Sequence, residues 1–501
     1  MSQYLIDDEL AEQDLLACAT RVAETIDNLE GHAELMAGAA ARYADAGQFD
    51  FAVALAETIG DPYTRDRARA HIAVKSFEAG ESDYAMRLLE GIEDPSFQAY
   101  ATAQIAVRRA AAGDYAGGAE LAHSLEDSSS TLAEIAVKCA EAGHYDEALE
   151  LVGTIDYQGS AASALTEMAA IHTKAGRQKE ASELLSQALL EARSIELAED
   201  RVSMLVSIGT RYAEAGEQDK AEEVLLEAER LAERVELDSY RDNSLEQVSL
   251  GLARLGQSER ALEVAARIED SFQAASAHTG ISSEHLRAGR SDEAQSTLSR
   301  ALELVEAEEF YRSSSYPASR YNALTGIAMQ YAEAALYDQA TRTARMIESD
   351  RDRSAALMEV AKTFMRAGNT DHALNAARMI EDSSIKAVAL TTLAQALSKN
   401  DQQERALSVL AEATRTAEEI TWANDRTLAL IEIARRYASA EGHEDEAAKL
   451  LLQALETSVH IESRYGLASA LAQLSDAYDE TGLEIDERVM NILREIVIKL
   501  D

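Results

Sequence analysis

The chain has 501 residues, with 90 Asp and Glu against 47 Lys and Arg, for a formal net charge of −43. That charge argues against a nucleic-acid binder, which needs a cationic surface to displace counterions, and against docking on anionic lipid. With 47% apolar residues it is too hydrophobic for a disordered acidic polymer. Only three prolines interrupt it, and close to a fifth of it is Ala, a composition that reads as helix.

At the N-terminus, Met1–Glu12 holds four acidic residues and no basic stretch, so no signal peptide is read there. No apolar run approaches the ~18 residues of a membrane span. Cys18 and Cys139 stand far apart in apolar helical patterns, with neither disulfide nor zinc spacing. The expectation is a cytoplasmic protein with two buried thiols. Arg outnumbers Lys 37 to 10, and the acid is spread along the whole chain. This fits a halophile, because molar salt screens the self-repulsion that −43 imposes on a compact state; the alternative is an ordinary acidic adaptor from a mesophile.

One segment recurs from end to end: an apolar-periodic helix closing in Ala-Gly, a polar turn, then Ala five residues after the Gly. Its anchors are Gly47, Gly80, Gly113, Gly143, Gly176, Gly216, Gly256, Gly289, Gly368 and Gly442, with Ala335 and Asp401 at two equivalent places and Gly482 in a final degenerate copy. A small residue sits seven before each anchor (Ala40, Ala73, Ala106, Ala136) and another on the second helix (Ala52, Ala85, Ala148), with Gly118 in one unit. Small side chains at both places let paired helices approach closely.

This pattern resembles the tetratricopeptide repeat (TPR), a helix-turn-helix unit, over nearly the whole chain. The resemblance implies an all-α, right-handed TPR-like α-solenoid of about 12 repeats. Residues 1–501 form a single domain in this reading: an N-terminal half repeat over 1–30, repeats over 31–483 and a C-terminal capping helix over 484–501. The sequence departs from the family in three ways. Early aromatics are mostly Leu, the closing Pro is missing from most units, and five connections are stretched to 40–46 residues. Four of these are expected to lengthen the second helix by about two turns, roughly 10 Å.

Asp61-Pro62 and Asp94-Pro95 read as N-caps followed by Pro at the first helical position. A basic residue recurs fifteen before the anchor, at Arg65, Arg201, Arg241, Arg320, Arg353 and Lys386. The acidic closing turns, with Asp61, Asp238, Asp350 and Asp382, are its expected ion-pair partners.

His-Glu-x-x-His, Gly-x-Ser-x-Gly, Walker and Gly-x-Gly-x-x-Gly patterns do not occur, so neither catalysis nor a cofactor is expected. In the TPR family the first helices line a concave groove. The matching positions here include Ala70, Val74, Ala103, Val107, Ala133 and Val137, a strip of small residues. It reads either as a dry groove for an apolar or helical ligand or as packing against the next repeat. The Lys and Asn clamp by which one TPR class holds C-terminal carboxylates is missing. Further along, Met329, Met358, Lys362 and Met365 read as an adaptable surface or as core. The longest insertion, 306–322, concentrates Phe310, Tyr311, Tyr316 and Tyr321, candidate hot spots or helix packing. The expected function is a scaffold binding a protein or peptide in its groove. The alternative is a solenoid that assembles end to end.

Overall fold

The computed structural model describes residues 5–26, 29–307 and 317–500. These residues form 28 helices and no strand. In chain order the first are α1 (Asp8–Ala11), α2 (Leu15–Glu24), α3 (Leu29–Asp45), α4 (Phe49–Glu57), α5 (Pro62–Glu78), α6 (Ser82–Glu90), α7 (Pro95–Ala111), α8 (Tyr115–Ala122), α9 (Ser129–Glu141) and α10 (Tyr145–Val152). Next come α11 (Gln158–Lys174), α12 (Gln178–Arg193), α13 (Ala198–Glu214), α14 (Gln218–Ala232), α15 (Asp238–Arg254), α16 (Ser258–Ala265), α17 (Ser271–Arg287), α18 (Ser291–Ala307) and α19 (Pro317–Glu333). The last are α20 (Tyr337–Ala344), α21 (Asp350–Arg366), α22 (Thr370–Arg378), α23 (Ser383–Lys399), α24 (Gln403–Glu418), α25 (Ala423–Ala438), α26 (Glu444–Ser458), α27 (Arg464–Thr481) and α28 (Glu487–Ile498). From α3 to α26 first and second helices alternate, giving twelve pairs of a TPR-like α-solenoid.

Each pair turns at the anchor. In the first, the Gln48 N–H reaches back to the Tyr43 carbonyl (2.8 Å) and the Gly47 N–H to Ala44 (3.0 Å). This closure needs a left-handed residue, and Gly47 has φ 75°. Ala335 and Asp401 hold φ 58° at the same place without being glycine. The helices then meet on their smallest side chains: Ala40, Ala73 and Ala136 on first helices, Ala52, Ala85 and Ala148 on second helices, all fully buried. Where Gly118 replaces that Ala, a Cβ would stand 2.7 Å from the Ala106 carbonyl oxygen. Asp61 caps α5 by accepting the Thr64 N–H at 2.8 Å, with Pro62 first in the helix.

All five stretched connections lengthen the second helix. α12, α14, α18, α24 and α26 run 15–17 residues, whereas α4, α6 and α8 run 8–9. The longest also includes residues 308–316, so Phe310, Tyr311 and Tyr316 lie outside the described residues.

Successive repeats are tied by a connection that the sequence reading found only in part. Arg65, Arg241 and Arg353 reach Glu93 (3.5 Å), Glu269 (3.1 Å) and Glu381 (3.3 Å), each 28 residues on. The shared partner is thus the middle residue of the next closing turn, and Asp238, one of the Asp residues named above, also pairs with Arg241 at 2.8 Å. The following residue is a buried acceptor. Asp66 receives the N–H groups of Glu93 (2.9 Å) and Asp94 (2.8 Å), and Asp242 those of Glu269 (3.2 Å) and Asp270 (2.9 Å).

The chain divides into two compact units, one of Met1–Ala101 with Arg353–Asp501, the other of Thr102–Asp352. In the first unit the two ends of the chain share a repeat. α2 packs on α27 as a second helix packs on its first, while α3 continues from both as the next first helix. The N-terminal half repeat therefore does more than cap an end: it completes the last repeat. α28 lies over α26, α2 and α1.

In the second unit a continuous core of Ala, Leu, Val and Ile runs from α9 to α17, with Tyr212 and Met168 its largest fully buried members.

Candidate functional site

The small-residue strip expected to line a groove is partly taken up in packing. Ala70 and Val74 on α5 are buried, so little of either can meet a ligand. Ala103, Val107, Ala133 and Val137 are half-buried, and the last three rest against the core. Met365 is buried; Met358 and Lys362 are half-buried on α21, with Lys362 bound to Glu359 at 2.7 Å. Met329 and Tyr321 are half-buried on α19.

The second unit presents a different surface on the first helices α13, α15, α17 and α19. Ser203, Ser207, Thr210, Gln247, Leu250 and Arg254 line a basin of about 380 Å3 between α13 and α15. Gln273, Ser276, Thr279, Ser319 and Asn322 line a second, of about 410 Å3, between α17 and α19. Between the basins α15 and α17 come close. Leu250 lies where a Cβ on Gly280 would stand, and Ser276 donates to Glu246 at 2.6 Å. The band follows from helical spacing: residues three and four apart share a face, as Ser203, Ser207 and Thr210 do on α13, and Ser276 and Thr279 on α17.

The cations on this surface are spoken for. Arg211 donates to Glu214 and Glu167, both at 2.9 Å. Burial disfavours its charge, but these two carboxylates outweigh that and raise its pKa above the ordinary value. Arg254 stands 3.6 Å from Glu284. The band can therefore offer neutral donors and acceptors to a ligand, framed by internally balanced charge.

The remaining chemistry-bearing groups are tied into the interior. His278 and His285 share a face of α17 and are buried. Burial lowers the pKa of both, with Arg290 adding to the effect on His285. Among the described residues no group of three His, Cys, Asp or Glu could hold a metal ion. Cys18 and Cys139 are buried, and burial, with Asp14 beside it, pushes the Cys18 thiol up to about 12. Among the described residues no helix is long and apolar enough to cross a membrane.

The sequence reading missed the polar band, because it followed only the positions ten and six before the anchor. The signal was there at thirteen and nine before it: Ser203, Ser207, Gln247 and Ser276 are uncharged in a chain where 27% of residues carry charge.

No protein-family model and no curated protein matches the chain. Solved structures similar to it include Ton1535 from Thermococcus onnurineus NA1, 19% identical over 69% of this chain and 99% of that one, with a TM-score of 0.32. A putative kinesin light chain of Podosopora anserina, with nearly identical TPR-like repeats, is 19% identical over 38% and 98%, with a TM-score of 0.21. A Rap protein complexed with competence and sporulation factor is 14% identical over 78% and 99%, with a TM-score of 0.26.

Proposed function

We propose that the chain is a non-catalytic scaffold that binds a protein or peptide on its first helices, across α13, α15, α17 and α19. The observation that carries this reading is the uncharged polar band itself. Ser, Thr, Gln and Asn side chains recur over four successive repeats, and such groups can bond an extended backbone by donating and accepting. A repeat array suits this work because each pair leans only on its neighbours and leaves a long surface for recognition. The acidic composition and the two buried thiols fit a high-salt cytoplasm. The alternative, end-to-end assembly, needs unoccupied terminal helices, and α27 already holds α2.

The test starts from peptides selected from a random display library on the immobilised chain at molar KCl. Ser207→Arg and Gln247→Arg place bulk and charge in the α13–α15 basin. Each is expected to weaken the selected peptides roughly tenfold, the scale of a blocked hydrogen bond or two. Unchanged binding in both variants would remove the band from consideration.

A further inference from the structure

Another opening in the second unit lies on the second helices, away from the polar band. A cleft of about 580 Å3 separates α8 from α10, lined by Asp114, Tyr115, His144, Glu147, Glu150 and Leu151. This volume is in the range of ligand sites.

Comparison with the next repeat explains why the cleft exists. Tyr145 stands two residues after its anchor, as Tyr115 does after its own. At Tyr145 the space is filled. The His172 ring lies 4.4 Å from the tyrosine ring centroid, and the Arg177 guanidinium stacks over the same ring at 4.4 Å and bonds its hydroxyl. One repeat earlier the places of His172 and Arg177 are taken by Cys139 and His144. Cys139 is far smaller and turns its Sγ to the His144 carbonyl at 3.3 Å. His144 is shorter than Arg, and its ring stays 5.4 Å from Tyr115. Of the two shorter residues His144 lines the cleft, and at the place of Arg177 it leaves Tyr115 without the guanidinium stacked on its counterpart.

The charge around the opening fits a cation. Glu147 and Glu150 line it, Glu147 lying 3.0 Å from His144 Nδ1. Asp114 is neutralised by Arg109 at 2.6 Å, which keeps that guanidinium at the edge over Gly117. Leu151 and Ala116 offer apolar contact for an aliphatic stem. A cation over an aromatic face with carboxylates at its rim is a recurrent recognition geometry.

We propose that this cleft receives an arginine side chain of a basic peptide, its guanidinium stacked on Tyr115 and bonded by Glu147 and Glu150, in the manner of Arg177 on Tyr145. The site is independent of the first-helix surface and stands or falls separately from it.

The probe is the blocked tripeptide acetyl-Gly-Arg-Gly-amide, titrated calorimetrically into the full chain at low ionic strength. Saturable binding is expected, with the citrulline tripeptide, which keeps the shape and loses the charge, at least tenfold weaker. Tyr115→Ala should weaken binding about five- to tenfold. His144→Arg is the second variant: it supplies the missing cation from within, is expected to fold as the parent does, and should abolish binding. Free L-arginine should bind more weakly, because its carboxylate meets acidic side chains. No saturable heat, equal binding of citrulline, or full binding by His144→Arg would overturn the site. Free arginine binding as tightly as the tripeptide would overturn the peptide as its ligand.

Discussion

Arg42 on α3 and Asp476 on α27 stand 434 residues apart and form a two-pronged ion pair, Nε to Oδ1 and Nη2 to Oδ2, both at 2.9 Å. Around this pair Arg464 donates to the Thr25 carbonyl (2.8 Å) and Tyr465 to Glu34 (3.2 Å). Ala19, Ala23, Gly38, Ala468 and Ala472 line the seam beneath it. Small residues here follow the same rule as inside every other pair, so the two chain ends meet with the chemistry of an ordinary repeat.

Overpacking this seam should therefore resemble overpacking any core. Ala468→Leu is expected to cost about 1–3 kcal/mol, and Arg42→Ala, losing a half-exposed bidentate pair, about 1 kcal/mol. Denaturant unfolding gives the loss, and hydrogen exchange should show α2 amides opening faster in both. An unchanged midpoint for Ala468→Leu would mean that α2 and α27 are not packed in solution.

Two turns carry a side chain where the backbone is left-handed. A left-handed residue other than Gly costs about 1–2 kcal/mol, and glycine's added unfolded-state freedom offsets about 0.5–1 kcal/mol. Ala335→Gly is thus expected to stabilise by roughly 0.5–1 kcal/mol, and Asp401→Gly by less, since Asp tolerates this conformation better. Thermal unfolding of the two variants beside the parent checks both sign and order.

Which features could be read beforehand follows from whether their cause lies within one repeat. The anchors, the close-contact alanines and the Asp61 cap each depend on residues a few positions apart, so the sequence displays them directly. Asp66 does not. Its value comes from two N–H groups 27 and 28 residues on, and nothing in the local pattern distinguishes it from the surface acids. The pairing of α2 with α27 is further removed, since it joins opposite ends of the chain. The burial of Ala70 was illegible for a related reason: its position fixes its face of α5, but its burial depends on how closely the neighbouring helices pack.

Asp66 gives the next prediction. It is buried, accepts two backbone N–H groups and also receives Arg69 at 3.2 Å. Asp66→Ala leaves those donors without a buried acceptor and is expected to cost about 2–4 kcal/mol. Asp66→Asn keeps an acceptor oxygen and should recover part of this. Equal losses in both, measured by denaturant, would show that charge alone is at stake.

The buried histidines set a pH dependence. The pKa values of His278 and His285 lie below the ordinary value in the folded chain, with the Ala274 carbonyl and Arg300 beside His278, and Arg290, Glu293 and Thr297 beside His285. As pH falls below ~6.5 the unfolded chain takes up protons first, so stability drops, by up to about 1.4 kcal/mol per pH unit for each histidine. The contribution is complete above the unfolded value and is lost on acidification. The double variant His278→Gln with His285→Gln should therefore lose less stability than the parent between pH 8 and pH 5. Parallel curves would assign the acid sensitivity to the carboxylates instead.

Salt acts on two opposed sets of charges. Ion pairs such as Arg193–Glu227 at 2.6 Å and Arg378–Glu412 at 2.7 Å are weakened as the Debye length shrinks from ~10 Å at 0.1 M to ~3 Å at 1 M. Exposed pairs contribute about 0–1 kcal/mol each, and contact distances are the last to be screened. The repulsion among an excess of 43 negative charges acts over longer distances and is screened first. The melting temperature should therefore rise steeply from low to molar KCl. Substituting pairs of surface Glu by Gln should flatten the rise while raising the low-salt value. A melting temperature independent of KCl would show that net charge does not limit this fold.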